Sequence, residues 1–246
     1  MRLAAEEYWN HRAESYARQR QISNVDRDVV RRSEIADNMR ILEVGCGPGV
    51  FAEYLLSNVK LPGLLYVGID LSTSFAEYSR HRLATLRGAQ AEILRASVND
   101  MPFPRSAFDL VYAMAVLHHL ALQDIVKALD AIRHCLKPTG QLLIAEDWAF
   151  EPRTEFERIA VELRKRLMEH EEVVENHLSS AQWRALIGEA GFRIKGLYWS
   201  LRPFHWERYR ALTDEDSRNL VNIVRNTPIE ERNVRMVIFT ITERSE

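Results

Sequence analysis

The sequence is poor in cysteine and has no long uninterrupted hydrophobic segment. Only two of its 246 residues are cysteine, Cys46 and Cys135. This excludes a disulfide framework and predicts a reducing compartment, the cytoplasm. The longest apolar run, Leu110 to Leu117, is too short to span a bilayer. The N-terminal residues include early acids and no apolar segment, so we expect neither a signal peptide nor a membrane partner.

The sequence also lacks an excess of charge of either sign. It has 33 lysines and arginines against 35 aspartates and glutamates, a formal net charge of -2. We therefore expect no nucleic-acid partner. Repeats and low-complexity tracts are not visible either. What remains is a composition typical of a globular chain, with 46% hydrophobic and 28% charged residues.

Strand-like and helix-like patterns alternate along the first 150 residues. This alternation predicts a parallel sheet with helices on both faces. After residue 152, long amphipathic helices precede two further strands. The predicted strands are 40–44, 64–69, 91–96, 107–114, 141–145, 192–201 and 235–242, and the main predicted helices are 4–20, 25–36, 75–86, 122–136, 156–167 and 183–189. The segment 137–140 is predicted to end the helix before it.

A glycine-rich turn follows the first predicted strand. Gly45, Gly47 and Gly49 stand at every second position, directly before a helical segment. Glycine allows positive φ and close approach of a ligand, and a helix N-terminus offers free N–H groups. Asp70 ends the second strand, where a carboxylate can accept both hydroxyls of a ribose. The G-x-G-x-G spacing differs from the G-x-G-x-x-G of dinucleotide enzymes.

Five short motifs then occur in a fixed order. They are E-V-G-C-G-P-G, V-G-I-D, M-P-F, F-D-L-V and L-K-P-T-G. In this order they resemble class I S-adenosylmethionine-dependent methyltransferases. The opening Y-W-N-H-R-A-E-S-Y resembles the small-molecule branch, which includes ubiquinone/menaquinone-type and natural-product enzymes.

The resemblance implies an α/β, Rossmann-like fold. Its seven-stranded mixed sheet would have the order 3-2-1-4-5-7-6, with the last strand antiparallel, helices on both faces and a helical lid or insertion. One methyltransferase domain would cover residues 1–246. Residues 1–36 would form an N-terminal helical lid, 37–150 the cofactor-binding core, and 151–246 the substrate-side helices and closing strands.

The resemblance also implies S-adenosyl-L-methionine as the cofactor, together with a set of contacts. The glycine turn would lie against the methionine part and the ribose of the cofactor, and Asp70 would bind the ribose hydroxyls. Ser97 stands where many relatives carry an aspartate that reaches the adenine amino group, and Asn99 or Asp100 could replace it. The expected cofactor-binding residues are Tyr16 (in the lid), Gly45, Cys46, Gly47, Gly49, Asp70, Leu71 (beside the adenine), Ser97, Val98 and Ala113 (through its backbone carbonyl).

The catalytic residues are not determined by the sequence. Methyl transfer needs alignment in a water-poor cavity, and a base only when the acceptor must lose a proton early. His118 and His119, after the fourth strand, and Asp147, after the fifth, are candidates. In the alternative interpretation one histidine caps the next helix, the other packs, and Asp147 lies in water. No metal site is predicted, and Arg164 to Arg166 is interpreted as a solvated helix face.

We therefore expect a methyltransferase that acts on the O, N or C atom of a small molecule. The alternatives are an NAD(P)-dependent Rossmann oxidoreductase and a non-catalytic cofactor-binding partner subunit. A macromolecular acceptor such as tRNA or protein is a third alternative, and the near-neutral charge disfavours tRNA. Aromatic residues between Tyr198 and Tyr209 suit either a flat apolar ligand or a homodimer contact, and the sequence leaves both open.

Overall fold

The computed structural model describes residues 2–171 and 175–243 of the chain. The strands are β1 (Arg40–Val44), β2 (Leu65–Asp70), β3 (Gln90–Arg95), β4 (Phe108–Met114), β5 (Leu136–Asp147), β6 (Phe192–Pro203) and β7 (Asn233–Glu243). The helices are α1 (Arg2–Gln19), α2 (Asn24–Arg31), α3 (Val50–Asn58), α4 (Thr73–Leu83), α5 (Leu122–Cys135), α6 (Glu155–His170), α7 (Ser180–Glu189) and α8 (Glu215–Asn226).

The strands form one seven-stranded sheet in the order β3-β2-β1-β4-β5-β7-β6. The first five strands in this row are parallel, and β7 runs antiparallel to both β5 and β6. The predicted sheet order and the antiparallel last strand are confirmed. Because β1 to β5 are parallel, their carboxyl ends meet at one edge of the sheet, which is where ligands bind in such folds.

Both faces of the sheet are covered, because successive side chains of a strand point in opposite directions. On one face, α5 and α7 pack on a cluster that contains Trp183 and Phe239. On the other face, α2, α3 and α4 pack on a cluster that contains Tyr66 and Ile238. A third cluster is separate from these two, and in it α6 and α8 pack with Phe204.

The largest difference from the sequence prediction lies where α5 meets β5. The helix ends at Cys135, and β5 begins at the next residue instead of after a four-residue break. The ladder with β4 pairs Phe108 with Leu136 and then Leu110 with Gln141. Residues 137–140 are therefore extra length bulged out of the strand, which is why their turn-like composition was misleading.

Arg164 also differs from its predicted place on a solvated helix face. Its side chain is 8% exposed and forms a two-pronged ion pair with Glu175, with Arg164 Nε 3.0 Å from Glu175 Oε2. The burial of Arg164 was not predictable from the charge-rich sequence of α6, because its partner, Glu175, lies outside the helix. No helix in the described part of the chain is both long and apolar enough to cross a membrane.

Candidate functional site

The turn between β1 and α3 is built from three glycines with positive φ. The φ angles of Gly45, Gly47 and Gly49 are 69°, 51° and 76°. A Cβ on Gly45 would lie 2.4 Å from Val116 Cγ2, and one on Gly49 would lie 2.5 Å from Ser79 Oγ. A Cβ on Gly47 would meet nothing within 4 Å. The turn is therefore packed tightly against the protein at its ends and open at its centre.

Asp70 ties this turn to the end of β2. Its Oδ2 accepts a hydrogen bond from the Gly47 N–H at 2.8 Å, and its Oδ1 accepts one from the Ser72 N–H at 2.9 Å. Burial raises the pKa of Asp70 to about 6, although the backbone N–H groups of Ser72 and Gly47 favour the charged form. Leu71 follows directly and is partly exposed. The fold thus brings the predicted turn and the predicted acid together.

The turn that follows β3 contains Ser97, Asn99 and Asp100. Ser97 Oγ accepts a hydrogen bond from the Asn99 N–H at 3.3 Å, within a turn closed by the bridge between Ser97 and Asp100. Val98 packs its side chain into the core. Asn99 Oδ1 is buried without a hydrogen-bond partner among the described atoms. Ala113, in β4, is fully buried and offers the site only its backbone.

Helix α1 packs beside these strand ends. Asn10 Oδ1 accepts hydrogen bonds from Ser72 Oγ at 2.7 Å and from the Ser74 N–H at 3.3 Å. The rings of Trp9 and Tyr16 lie 5.9 Å and 5.5 Å from that of Phe75, in α4. Tyr16 therefore contacts the helix that begins just after Asp70, which is the region of its predicted role.

His118 is bound inside the protein by Glu146. The His118 Nδ1 contacts Glu146 Oε2, and Glu146 Oε1 accepts a hydrogen bond from the Leu117 N–H at 3.0 Å. Burial lowers the pKa of His118, but the Glu146 carboxylate outweighs it, so the pKa is raised. Neither histidine caps α5, because its N-cap is Ala121, without a side-chain cap. The capping interpretation of the sequence is therefore wrong.

His119 has the opposite electrostatic environment. Its ring lies 5.0 Å from that of Trp9, and its Nδ1 is buried without a hydrogen-bond partner among the described atoms. Burial and the charge of His118 hold the pKa of His119 well below its usual value. The two neighbouring histidines therefore differ: His118 is stabilised in the charged form, and His119 in the neutral form.

Glu175 joins both histidines to α6. Its Oε1 lies 4.0 Å from His118 Nε2 and 3.6 Å from His119 Nδ1, and its Oε2 lies 3.4 Å from His177 Nε2. Potential ligand atoms of His118, His119 and Glu175 lie within 4.8 Å of one another, a grouping that could hold a metal ion. Both oxygens of Glu175 already face the Arg164 guanidinium, and this positive charge would oppose a metal ion.

Asp147 does not lie in water, as the alternative interpretation of the sequence expected. It is 8% exposed and paired with Arg202, from β6. The next residue, Trp148, has a positive φ of 59° and is buried in the third cluster. Asp147 is thus neutralised within the protein, which makes it a weaker candidate for proton transfer.

Sequence reasoning missed Glu146, Glu171 and Glu175. Glu171 binds α1, because it accepts hydrogen bonds from Tyr8 OH and from Arg12 Nη1, both at 2.7 Å. Glu146 could have been found, since it alternates with Asp147 along β5 and must point to the other face. Glu171 and Glu175 carry no local signal, because their partners are distant in sequence.

The aromatic residues near the end of the chain are divided between core and surface. Phe204 and Tyr209 are buried, with their rings stacked 4.9 Å apart. Tyr198 and Trp199 are each 39% exposed, and arginines lie over their rings, Arg32 and Arg235 respectively. The buried pair therefore supports the third cluster, whereas the exposed pair, together with the partly exposed Trp206, reaches the surface.

Comparison with known proteins gives an independent view of the same region. Residues 41–140 match a family model described as a methyltransferase domain. This match begins at β1 and ends within β5, so it contains the glycine turn, Asp70 and both histidines.

Two curated relatives match parts of the chain. Malonyl-[acyl-carrier protein] O-methyltransferase of Legionella pneumophila is 39% identical over 79 residues, which are 32% of this chain and 26% of the relative. Trans-aconitate 2-methyltransferase of Methylobacterium nodulans is 32% identical over 121 residues, 48% of this chain and 42% of the relative. The chain thus spans less than half the length of either relative.

A solved structure covers nearly the whole chain. The Haemonchus contortus phosphoethanolamine N-methyltransferase 2, in complex with phosphomonomethylethanolamine and S-adenosylhomocysteine, has a TM-score of 0.68 and 17% identity. The alignment covers 99% of this chain and 59% of that chain. At this level of identity the likeness shows a shared fold.

Proposed function

We propose that this chain is a class I S-adenosylmethionine-dependent methyltransferase, which transfers a methyl group from S-adenosylmethionine to a small-molecule acceptor; the match of residues 41–140 to a methyltransferase domain supports this. One observation carries the proposal: Asp70 holds the central glycine of the open turn, Gly47, at the carboxyl edge of the sheet. The named activity of the trans-aconitate relative supports a small acceptor.

The residues present fit this cofactor. The open space at Gly47 admits a ligand next to backbone N–H groups, and Asp70 offers free lone pairs to ribose hydroxyls. Gly45, Cys46 and Gly49 would line the same turn. At the adenine end, Leu71 and Ser97 would flank the base, and the unpartnered amide oxygen of Asn99 suits its amino group.

When bound, S-adenosylmethionine supplies a methyl group on a positively charged sulfur. The chain's own work is to align the acceptor, exclude water and provide for a proton. Trp9 and Tyr16, on α1, shield the strand ends from solvent. Of the two histidines only His119 is held in the neutral form that can accept a proton, although its lowered pKa makes it a weak base, whereas Glu146 holds His118 in the charged form.

An NAD(P)-dependent oxidoreductase is the first rival. It would use a G-x-G-x-x-G turn to bind a pyrophosphate, but the spacing here is G-x-G-x-G and the third glycine of that motif is missing. A non-catalytic partner subunit is the second rival, since a fold does not determine a reaction. It would bind the cofactor and transfer nothing.

Ligand-induced thermal stabilisation tests the proposal. S-adenosylmethionine or S-adenosylhomocysteine at 100 times its dissociation constant should stabilise the protein by about 2.7 kcal/mol, and NADH should not. Transfer of a labelled methyl group to members of a panel of small acids, amines and phenols then separates an enzyme from a partner subunit. Stabilisation by NADH alone would refute the methyltransferase, and binding without any transfer would favour the partner subunit.

We also propose a cellular compartment and partners for the protein. Both cysteines described in the structure, Cys46 and Cys135, are buried free thiols, which suits the reducing cytoplasm. The near-neutral charge supports action without a nucleic-acid partner. The exposed Tyr198 and Trp199 are the surface that we would assign to a homodimer contact.

A further inference from the structure

Glu175 is a buried carboxylate that lies between the guanidinium of Arg164 and the ring of His119. Its side chain is 2% exposed, and that of Arg164 is 8% exposed. Arg164 Nε lies 3.0 Å from Glu175 Oε2, and Arg164 Nη2 contacts Oε1. The arginine therefore occupies one lone pair on each oxygen of Glu175.

Each oxygen of Glu175 has room for one more donor, because an ionised carboxylate offers about four lone pairs. The second lone pair of Oε2 faces His177 Nε2 at 3.4 Å. On the other oxygen, Oε1 lies 3.6 Å from His119 Nδ1 and 4.0 Å from His118 Nε2. His119 Nδ1 is thus the nearer of the two histidine nitrogens that face Oε1.

Glu175 is held in its ionised form. Burial raises its pKa, but the hydrogen bond with His177 and the charges of His118 and Arg164 outweigh burial, so the pKa of Glu175 is lowered. An ionised carboxylate accepts hydrogen bonds and donates none. It therefore favours the form of His119 that carries its proton on Nδ1, since the partner of one ring nitrogen decides which nitrogen is protonated.

The residue after Glu175 fixes the backbone around His119. The N–H of Asn176 donates to the His118 carbonyl at 2.8 Å, and its side-chain amide donates to the Leu120 carbonyl. These two bonds hold the chain on both sides of His119. The carboxylate and the imidazole are therefore positioned by one connected set of hydrogen bonds and do not depend on a mobile side chain.

Contacts join His119 to the predicted cofactor turn and to α1. The segment that leads to His119 rests on this turn, since a Cβ on Gly45 would lie 2.4 Å from Val116 Cγ2. The ring of Trp9 lies 5.0 Å from the ring of His119. Nδ1 is buried, whereas 17% of the His119 side chain is exposed, so the exposed part belongs to the rest of the ring, which contains Nε2.

We propose that Glu175 is a positioning residue: it holds the proton of neutral His119 on Nδ1, so that Nε2 is left to accept the proton of the methyl acceptor. This inference rests on the proposed function for its role in catalysis. The 3.6 Å distance is longer than a hydrogen bond, as is common for catalytic contacts before the substrate binds.

The same carboxylate answers the weakness of His119 as a base. The proton would move from the acceptor's nucleophilic atom to Nε2, while its electron pair stays on that atom to bond with the methyl carbon. The electron pair of the broken carbon–sulfur bond remains on sulfur. The imidazolium that forms would have Glu175 beside Nδ1, and a positioned carboxylate stabilises this charge as it develops.

Nuclear magnetic resonance of the histidine rings tests the assignment directly. Ring ¹⁵N shifts are measured in the full-length protein at pH 7.5, with S-adenosylhomocysteine and with EDTA, so that no metal ion occupies the neighbouring ligand atoms. Signals of His119 are identified among the eight histidines by their loss in His119→Gln. We expect wild-type His119 to be neutral, with its proton on Nδ1.

The variants are Glu175→Gln and, as a matched control, Glu157→Gln. Glu157 is also buried and is also paired with an arginine in a two-pronged manner, Arg235, but it does not face His119. The ratio of the Nδ1–H to the Nε2–H form should fall about tenfold in Glu175→Gln and stay unchanged in Glu157→Gln. Glu175→Asp keeps the charge on a shorter side chain, so it should lie between wild type and Glu175→Gln, and it serves if the glutamine variant does not fold.

Methyl transfer gives a second measurement on any acceptor that the protein methylates. We expect Glu175→Gln to lower kcat about tenfold, with little change in the KM of the acceptor or in the affinity for S-adenosylhomocysteine. Glu157→Gln should leave kcat near the wild-type value. An unchanged kcat in Glu175→Gln would overturn the role of Glu175 in proton transfer.

Two results of the resonance experiment overturn the inference. One is a wild-type His119 with its proton on Nε2, and the other is an equal tautomer ratio in Glu175→Gln and Glu157→Gln. The proposed function fails separately, if wild-type protein binds no S-adenosylhomocysteine or transfers no methyl group. Normal cofactor binding and transfer with a tautomer that ignores Glu175 would refute the inference alone.

Discussion

At the residue scale, Asp70 is the side chain on which cofactor binding should depend most. We expect Asp70→Asn to weaken S-adenosylhomocysteine binding by about 1–3 kcal/mol, because an amide replaces a charged acceptor. Isothermal titration calorimetry at pH 7.5 measures the loss. Equal affinities of the variant and the wild-type protein would show that the ribose contact is elsewhere.

The same carboxylate should make binding depend on pH. Its pKa in the free protein is raised to about 6, so lowering the pH from 7 to 5 protonates it and removes an acceptor for the ribose. Affinity should therefore fall over this range in the wild-type protein and stay nearly flat in Asp70→Asn. A parallel fall in both proteins would assign the pH dependence to another group.

The buried pair of His118 and Glu146 should stabilise the fold at low rather than high pH. We expect Glu146→Gln to lower the free energy of unfolding by about 3–5 kcal/mol at pH 6, because His118 loses its compensating charge. Urea denaturation measures this, and Glu189→Gln, at an exposed position at the end of α7, is the control.

The sign of this effect follows from the raised pKa of His118. A raised pKa stabilises the fold fully below the unfolded value of about 6.5, and the contribution is lost as the pH rises through the folded value. The raised pKa of Glu146, caused by its burial, acts in the same direction. The difference between wild type and Glu146→Gln should shrink by pH 9, and a growing difference would contradict the charged-pair description.

Residues of the candidate site were predictable where the signal is local. Gly47 lies just after β1 and Asp70 ends β2, so the sequence pattern predicts that they share one edge of the sheet. Glu175 was not predictable, because its arginine and histidine partners are brought to it by packing of distant elements.

At the scale of elements, α1 is the helix that we expect to respond most to cofactor binding. Its links to the body include the hydrogen bonds of Asn10 to Ser72 and Ser74 and the contact of Trp9 with His119. If α1 closes over the cofactor, bound S-adenosylhomocysteine should slow amide exchange in residues 6–19 about tenfold, equal to ~1.4 kcal/mol.

Two comparisons make this exchange measurement specific. Exchange in α7 should be unaffected, because that helix packs on the opposite part of the core. Trp9→Ala should reduce the slowing in α1, whereas Arg18→Ala, at an exposed position of the same helix, should not. Equal slowing in wild type and Trp9→Ala would mean that α1 is fixed cover and not a lid.

Element boundaries were predictable where hydrophobic pattern and turn chemistry agree. The predicted limits of β1 match those in the structure, because a buried run meets a glycine turn. The start of β5 was not predictable, since residues 137–140 look like a turn and are a bulge in the ladder. The end of α2 came earlier than predicted, because Gln141 binds the Arg32 carbonyl and the Glu34 N–H beyond it.

At the scale of the whole molecule, alternation of strands and helices predicted a parallel sheet with two covered faces. It did not determine the strand order, because β6 and β7 join the sheet by antiparallel pairing at its far side. That part of the prediction came from the ordered motifs and their resemblance to a family. The amphipathic pattern predicted an apolar face on α6, but it did not predict that this face packs with α8 and Phe204 in a third cluster.

We expect the whole sheet to unfold in one transition, because β7 pairs with both β5 and β6 and so joins the last strand to the parallel strands. Phe239 is fully buried there, between Ile144 and Leu197 in register. We expect Phe239→Ala to reduce the free energy of unfolding by about 3–5 kcal/mol, because the lost apolar contacts leave a cavity in the core. Ile229→Ala, at a side chain that is 78% exposed, should change it by no more than ~0.5 kcal/mol.

Urea denaturation followed by tryptophan fluorescence and by far-ultraviolet circular dichroism should give coincident curves for both variants. A small loss in Phe239→Ala would show that the pairing of β7 contributes little, and separate transitions would show that the closing strands unfold apart from the cofactor-binding strands.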